Sequence, residues 1–266
     1  IAAAWLGTRI NRVAQVALTG KDWRVIIGIG ILGYYLSSLF DFMGLVYIST
    51  GLERIILFLY PLMVVLAGWF YFHRPVRYYE ITALVGSMAG IMLIFASKIS
   101  LKNEANLVLG SGLVFLSTIC FALYILGTGQ VVQRIGVLRF TASTMLVASV
   151  CSILQFLVLH SPSQIFQQPH QVYVVALGLA LFSTVLPVFM QSAGIKYLGA
   201  AQASIVGSLG PIATLFFADL FLGESTSAMQ LWGSGLVIIA VASMGVFASL
   251  ERGKSKSPLP PLPARR

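Results

Sequence analysis

The sequence predicts an all-α membrane protein, a helical bundle made of two inverted repeats. Three observations predict it: the composition, the length of the apolar runs and an internal repeat. Of the 266 residues, 58% are hydrophobic and only 9% are Asp, Glu, Lys or Arg, and the mean hydropathy is +0.91. A soluble domain carries about 25% charged residues, so these charges are too few to cover a water-soluble surface. The net charge of +9 does not indicate nucleic-acid binding, because the basic residues do not form one patch.

Eight apolar runs have the length of a membrane span. Seven of them contain no charged residue, and the eighth, 26–48, contains only Asp41. Each has roughly 17 to 25 residues, enough to cross about 30 Å of hydrocarbon at 1.5 Å per residue. We therefore predict eight complete transmembrane helices. The uncharged runs are 55–72, 81–97, 107–129, 140–159, 172–195, 197–218 and 226–250.

The basic residues between these runs predict the orientation of the protein. With eight crossings, 14 of the 17 Lys and Arg residues fall on one side of the membrane and three, Arg54, Lys98 and Lys102, fall on the other. The side richer in Lys and Arg is expected to be cytoplasmic. We therefore expect an integral protein of a bacterial inner membrane with a cytoplasmic C-terminus. Residues 251–266 are basic and rich in Pro, which predicts a disordered cytoplasmic tail.

An internal repeat relates the two halves of the chain. A shift of 150 residues superposes two copies of the pattern G-x-x-Y-x7-I-x3-L-x-P, each at a hinge between two apolar runs. The copies lie five crossings apart, so they enter the membrane from opposite sides, as the inverted repeats of many secondary transporters do. The first copy is Gly44, Tyr47, Ile55, Leu59 and Pro61, and the second is Gly194, Tyr197, Ile205, Leu209 and Pro211.

The second copy lies in a stretch, 194–235, that resembles the most characteristic part of EamA domains, members of the drug/metabolite transporter superfamily. The resemblance is carried by Tyr197, Pro211, the Leu222-Gly223-Glu224 triplet, and the segment from Gln230 to Gly233. The first half keeps Tyr47 and Pro61 but has Phe72-His73-Arg74 in place of the triplet.

The resemblance implies ten spans in two five-helix repeats, with both termini cytoplasmic. The eight runs would then be spans three to ten. We expect residues 1–100 to form the first repeat, without its first span and most of its second, and 105–250 to form the second repeat. Since the sequence begins at Ile1 with the apolar segment 1–7, we expect it to be truncated at its N-terminus.

A polar stripe inside the first run is a candidate substrate or proton pathway. Asp41 shares a helical face with Tyr34, Ser37 and Ser38, and an acid inside a span is expected to face the bundle interior or water. The repeat counterparts of Tyr34 and Asp41 are Thr184 and Gln191, which predicts a second stripe at the same depth. The alternative is a structural hydrogen-bonded pair, for instance of Asp41 with Arg54.

Paired prolines predict a second part of the pathway. Pro61 and Pro211 remove helical N–H donors and free the carbonyls of Leu57 and Gly207, and such carbonyls need a cavity or a packed neighbour. Ser204 and Ser208 lie on the face that Pro211 continues. We expect cavity-lining helix kinks at Pro61 and Pro211, with Tyr47 and Tyr197 marking the hinges. The alternative is an ordinary kink with an interhelical hydrogen bond.

We predict that the protein is a secondary transporter and not an enzyme. It would export a small metabolite, such as an amino acid or an amphipathic compound, by alternating access. A non-transporting receptor or scaffold is the main alternative, and an intramembrane enzyme is another. No nucleotide-binding motif and no cluster of metal ligands occurs in the sequence, so no cofactor or metal is expected. The expected partners are the substrate and the lipid bilayer, and a homodimer could form through the G-x-x-x-G pattern at Gly86–Gly90, unless this pattern packs inside the bundle.

Overall fold

The computed structural model describes residues 19–73, 75–96, 106–222 and 227–254, and all regular structure in these ranges is helical. Eight spans are long and apolar enough to cross a membrane, which confirms the predicted fold class. The predictions for residues 1–7, for Gly223 and Glu224 of the triplet, and for the tail from residue 255 onward lie outside the described ranges.

The eight spans are built from eleven helices. Two spans are each made of two consecutive helices, and one short helix lies in the connection between two spans. The helices are α1 (Gly20–Leu45), α2 (Thr50–Leu57), α3 (Tyr60–Phe72), α4 (Tyr78–Ala96), α5 (Leu107–Ile135), α6 (Val137–Leu159), α7 (Ser163–Phe166), α8 (His170–Leu198), α9 (Ala200–Gly207), α10 (Gly210–Leu222) and α11 (Ala228–Lys254).

Most helices continue beyond the apolar runs into charged flanking residues. Helix α2 begins at Thr50 and so includes Glu53 and Arg54, and α11 continues to Lys254, four residues into the segment predicted as a tail. A helix can continue beyond the apolar segment because its backbone groups stay hydrogen-bonded to one another. It ends where a cap provides partners for its terminal backbone groups. At α1 this cap is Thr19, whose backbone N–H donates to the carboxylate of Asp22 over 2.8 Å.

The 150-residue offset found in the sequence recurs in the helix boundaries. The helices α2 and α9 begin and end at residues that differ by 150, and so do α3 and α10. Helices α1 and α8 also begin 150 residues apart, as do α4 and α11. In each pair the second member is the fifth span after the first, so the two run in opposite directions through the bundle. The backbone of the second half thus repeats that of the first from 20 onward.

Helices α4 and α11 form a tight helix pair between the halves. A Cβ atom added to Gly90 would lie 2.6 Å from the carbonyl oxygen of Gly233, and one added to Gly233 would lie 2.6 Å from that of Gly90. A Cβ on Gly86 would likewise lie 2.9 Å from the Cβ of Ala240. The G-x-x-x-G pattern therefore packs inside the bundle, against α11, where only residues without a side chain allow the two backbones to approach so closely.

Helix α5 is the central helix of the bundle and holds α1 by polar contacts. The hydroxyl groups of Tyr34 and Tyr124 are hydrogen-bonded at 2.6 Å, and Ser117 donates to the carbonyl of Ser37 over 2.7 Å. Both tyrosine and serine pairs lie in the apolar interior, where such bonds fix the position of one helix against another. By contrast, most side chains of α8 are exposed and apolar among the described residues.

Candidate functional site

Two interrupted helices define the centre of the candidate site. The α2–α3 span breaks at Phe58–Leu59 and the α9–α10 span breaks at Ser208–Leu209, in both cases just before a buried proline. At each break the chain forms a tighter turn, in which Leu59 donates to the carbonyl of Ile56 over 3.1 Å and Leu209 donates to that of Val206 over 3.0 Å. Because Pro61 and Pro211 lack an N–H, the carbonyls of Leu57 and Gly207 have lost their helical donors. The two breaks are equivalent in the repeat.

The two interrupted helices cross at their breaks. Tyr60, which is 8% exposed, donates from its hydroxyl to the backbone carbonyl of Ser204 over 3.1 Å. Its hydroxyl also lies against Gly207, where an added Cβ would be only 2.0 Å from the Tyr60 oxygen. The next glycine, Gly210, has the ring of Phe58 as its nearest neighbour, at 3.8 Å from an added Cβ. Aromatic side chains of the first half thus fill the space that glycines leave in the second.

Polar groups accompany the crossing in an otherwise apolar interior. The Thr118 hydroxyl of α5 lies 3.2 Å from the carbonyl of Ile56, and the Ser204 hydroxyl donates to the carbonyl of Ala201 over 2.7 Å. The hydroxyl of Ser208 is buried at the break itself, and no hydrogen-bond partner for it occurs among the described residues. A buried polar group without a partner is rare in proteins and marks a position where a ligand or water can bind.

A cavity of about 370 Å³ adjoins the crossing. It lies toward the basic end of the bundle, which is the end that carries the α3–α4, α5–α6 and α8–α9 connections. Its walls come from both halves and are mostly apolar. Val64 lies one helical turn from Tyr60, and Ala201 lies one turn from Ser204, so the cavity leads toward the crossing. It is lined by Val64, Val65, Gly68, Trp69, Pro75, Val76, Glu80, Leu126, Gly129, Gln130, Gly199, Ala200 and Ala201.

Glu80, the acid that lines this cavity, caps the start of α4. An equivalent cap occurs at the start of α11 in the other half. Glu80 is 1% exposed, and its carboxylate lies 3.5 Å from the backbone N–H of Arg77 at the start of α4. Its repeat counterpart, Gln230, accepts from the backbone N–H of Ser227 over 2.9 Å at the start of α11. Side chains at the third position of a helix commonly cap its N-terminus in this way. The equivalent caps fix α4 and α11 at their equivalent ends.

Several of the predicted site residues come together at the crossing. Pro61, Pro211, Ser204 and Ser208 all lie there, on the two interrupted helices. Tyr47 and Tyr197 lie one span away, at opposite ends of the bundle. Tyr47 lies in the α1–α2 connection, whereas Tyr197 is 75% exposed at the end of α8.

The predicted polar stripes are divided in the structure. Tyr34 and Ser37 face Tyr124 and Ser117 of α5 in the interior, and Asp41 is half-buried one turn after Ser37. Ser38 is exposed. In the second half Gln191 is half-buried, and Thr184 is exposed and lines a separate cavity of about 230 Å³ between α6 and α8.

A change of helix type lies within both predicted stripes. Residues Ile31–Leu36 of α1 and Leu179–Val185 of α8 form π-helical turns, at nearly equivalent places in the two repeats. A π turn accommodates an additional residue, so the side chains on its two sides no longer follow one spacing of 3.6. The predicted common face of Tyr34, Ser38 and Asp41 assumed an uninterrupted α-helix.

Tyr60, Thr118 and Glu80 are the site residues that the sequence did not indicate. For Tyr60 a signal existed: its repeat counterpart is Gly210, and the counterpart of Leu57 is Gly207. Two similar helices pack closely when a large residue in one faces a small residue in the other, so equivalent positions are expected to differ in size. No comparable pattern marks Thr118, because its role depends on the carbonyl of Ile56, 62 residues away.

Comparison with known proteins agrees with the resemblance seen in the sequence. Residues 1–96 and 108–246 match the model of the EamA-like transporter family. The uncharacterized transporter YcbK of Bacillus subtilis (strain 168) is 29% identical over 242 residues, covering 89% of this chain and 76% of that protein. The uncharacterized transporter sll1319 of Synechocystis is 25% identical over 247 residues, covering 88% and 69%. One crystal structure shares the fold at a TM-score of 0.75 and 14% identity, covering 92% of this chain and 84% of its own.

Proposed function

Since the chain belongs to the EamA-like transporter family, we propose that it is a secondary transporter which moves a small metabolite by alternating access. The observation that carries the proposal is the crossing of two interrupted helices, one from each inverted half, beside a cavity that both halves line. Inverted repeats with interrupted helices at the substrate site recur in secondary transporters. The crossing would act as the fixed point around which the halves rearrange.

The inverted repeat provides two packings of similar energy. If the halves exchange conformations, the cavity at the basic end closes and an equivalent cavity opens at the other end. We propose that the basic end and the C-terminus are cytoplasmic, in a bacterial inner membrane, because Lys and Arg concentrate there. Export would then begin with the substrate entering this cavity.

The cavity favours a small amphipathic substrate. Its volume of about 370 Å³ lies at the lower end of the range of roughly 300–1,000 Å³ that is typical of small-molecule sites. Valine, leucine and tryptophan side chains provide an apolar surface, whereas the Gln130 amide offers hydrogen bonds. An amino acid or a similar compound with an apolar body and a polar end matches this surface.

Counterflow in proteoliposomes tests the proposed function. The full-length protein is reconstituted, loaded with an unlabelled compound from a panel of amino acids and amphipathic metabolites, and then exposed to the labelled form. We expect labelled compound to accumulate transiently for at least one member, because a carrier exchanges substrate without an energy source. A receptor or scaffold would bind a compound without counterflow, and an enzyme would convert it. Either result, obtained across the panel, contradicts the proposal.

Filling the cavity should block transport without unfolding the protein. Gly68 lines the cavity, and a Cβ added to it meets no atom within 4 Å in the described part of the chain. We therefore expect Gly68→Leu to fold normally and to lower counterflow to about a tenth or less, equivalent to about 1.4 kcal/mol.

Gly112→Leu is the matched control, because Gly112 is equally open but lies on the exposed surface of α5. Thermal unfolding in detergent should be alike for both variants. Normal counterflow by Gly68→Leu would exclude the cavity as the transport path.

A further inference from the structure

Three charged side chains lie at the end of the bundle opposite to the basic end, and none of the steps above uses them. Asp41 lies four residues before the end of α1, and Glu53 and Arg54 lie three and four residues after the start of α2. At 1.5 Å per residue the two acids are each about 4–6 Å inside their helices, so they lie at a similar depth. The short connection 46–49 joins the two helices.

Glu53 is unusually buried for a charged residue. It is 1% exposed, and neither of its carboxylate oxygens accepts a hydrogen bond within the described ranges. Its ionic partner is Arg54, whose Nε lies 3.3 Å away but whose side chain is 53% exposed. Asp41 is half-buried, and its Oδ1 is enclosed without a hydrogen-bond partner among the described residues. Asp41 also interacts electrostatically with both Glu53 and Arg54.

The three side chains have an unbalanced charge. With both acids ionised, the cluster carries two negative charges and one positive charge. Among the described residues, the helices that pack on α2 add no compensating charge: α5 contributes the uncharged Thr118, and the acid of α4, Glu80, lies at the basic end. Lys98 and Lys102, in the α4–α5 connection at the same end as the cluster, lie outside the described residues. An uncompensated charge that is shielded from water is strongly unfavourable. Binding of one proton makes the cluster neutral.

The repeat shows that the fold itself does not need these charges. The counterparts of Asp41, Glu53 and Arg54 are Gln191, Ala203 and Ser204, none of which is charged. Helix α9 nevertheless has the same boundaries as α2, shifted by 150 residues, and α8 begins 150 residues after α1. The cluster is therefore a feature of one half, and so of one side of the membrane.

We propose that Asp41 and Glu53 bind one shared proton and couple transport to a proton gradient. When the end opposite to the basic end is open, a proton passes from water to a carboxylate oxygen, an O–H bond forms, and the cluster becomes neutral. The end can then close without burying a net charge. Coupling then requires the O–H bond to break and the proton to pass to water at the basic end, by way of the cavity that is open there. The coupling rests on the proposed transport function, whereas the binding of the proton does not.

Infrared difference spectroscopy tests proton binding without a substrate. The full chain in lipid membranes is taken through a pH step, and the C=O band of protonated carboxylic acids is recorded. We expect a titrating band from a buried carboxyl group that disappears in Glu53→Gln and shifts in Asp41→Asn. Asp22→Asn is the control, because Asp22 is an acid at the basic end with its own partners, Thr19 and Arg134. Absence of the band in the wild type, or its persistence in both variants, would overturn the proposal.

Transport assays test the coupling. In proteoliposomes, Glu53→Gln and Asp41→Asn should lose accumulation driven by a pH gradient but retain counterflow of the same compound, while Asp22→Asn keeps both. Gradient-driven accumulation that is unchanged in both variants would refute the coupling and leave the transport function intact. If the wild type shows no counterflow, the proposed function fails, and the infrared band still decides whether the pair binds a proton.

Discussion

Gly207→Ala is expected to destabilise the protein by about 1–3 kcal/mol, the usual effect of forcing extra volume into a packed interior. The new methyl group would lie 2.0 Å from the Tyr60 hydroxyl oxygen, far inside van der Waals contact. Tyr60 has little room to move, because it is 8% exposed and is held by its hydrogen bond to Ser204. The two interrupted helices must therefore separate at their crossing. Both the unfolding midpoint in detergent and the counterflow rate should fall.

Removing the hydroxyl of Tyr60 should reverse this effect. In Gly207→Ala/Tyr60→Phe the atom nearest to the methyl group would be the ring Cζ, at 3.3 Å instead of 2.0 Å. Tyr60→Phe alone should lower the free energy of unfolding by about 0.5–1.5 kcal/mol, because its hydrogen bond is lost. The double variant should be nearly as stable as Tyr60→Phe. A double-mutant cycle measures this coupling directly.

Gly210→Ala is the control for the break itself. It introduces the same methyl group three residues away, where the nearest atom is 3.8 Å distant. We expect a small change in stability for this variant. If Gly207→Ala is as well tolerated as Gly210→Ala, or if Tyr60→Phe fails to restore the double variant, the interrupted helices do not cross as described.

The spans and the repeat could be predicted because both depend on the order of residues along the chain and not on contacts between distant segments. Uncharged runs report the spans directly, and the Gly-Tyr-Pro spacing gave the 150-residue offset that the boundaries of α2 and α9 reproduce. Helix ends were less predictable, since α2 continues through Glu53 and Arg54, where the loss of hydrophobicity suggested a connection.

The candidate site could be predicted only where it depends on local chemistry. Pro61 and Pro211 interrupt their helices whatever packs around them, because proline has no backbone N–H, so the kinks could be predicted from the sequence. The π turn at Ile31–Leu36, which shifts the residues after it relative to those before it, did not follow from the sequence. Contacts between distant segments, such as Tyr34 with Tyr124, required the packed bundle.

The two halves have similar backbone folds but differ in the side chains that meet between them. At the crossing, Tyr60 in the first half faces Gly207 in the second. At the end opposite to the basic end, Glu53 has Ala203 as its counterpart. A shared backbone allows the two halves to exchange conformations, whereas different side chains allow the two conformations to respond to different ligands. The proposed proton site uses the second property.

The contact of α4 with α11 should be even less tolerant than the crossing. A methyl group on Gly90 would lie 2.6 Å from the backbone oxygen of Gly233 and 2.5 Å from a Val237 methyl group. Because backbone atoms cannot rotate away, Gly90→Ala should destabilise the protein by about 3 kcal/mol, at the upper end of overpacking effects. Thermal unfolding in detergent measures this loss, and Gly90→Leu should prevent the accumulation of folded protein.

The matching variant on α11 shows whether the effect comes from this contact. Gly233→Ala places its methyl group 2.6 Å from the Gly90 oxygen, so it should be about as destabilising as Gly90→Ala. In the double variant the two losses should be less than additive, because helices already separated by one methyl group accommodate the second more easily. Gly245→Ala, on α11 but without an atom within 4 Å among the described residues, should be neutral or slightly stabilising. Full additivity, or an equal loss in Gly245→Ala, would show that helix separation at Gly90 is not the cause.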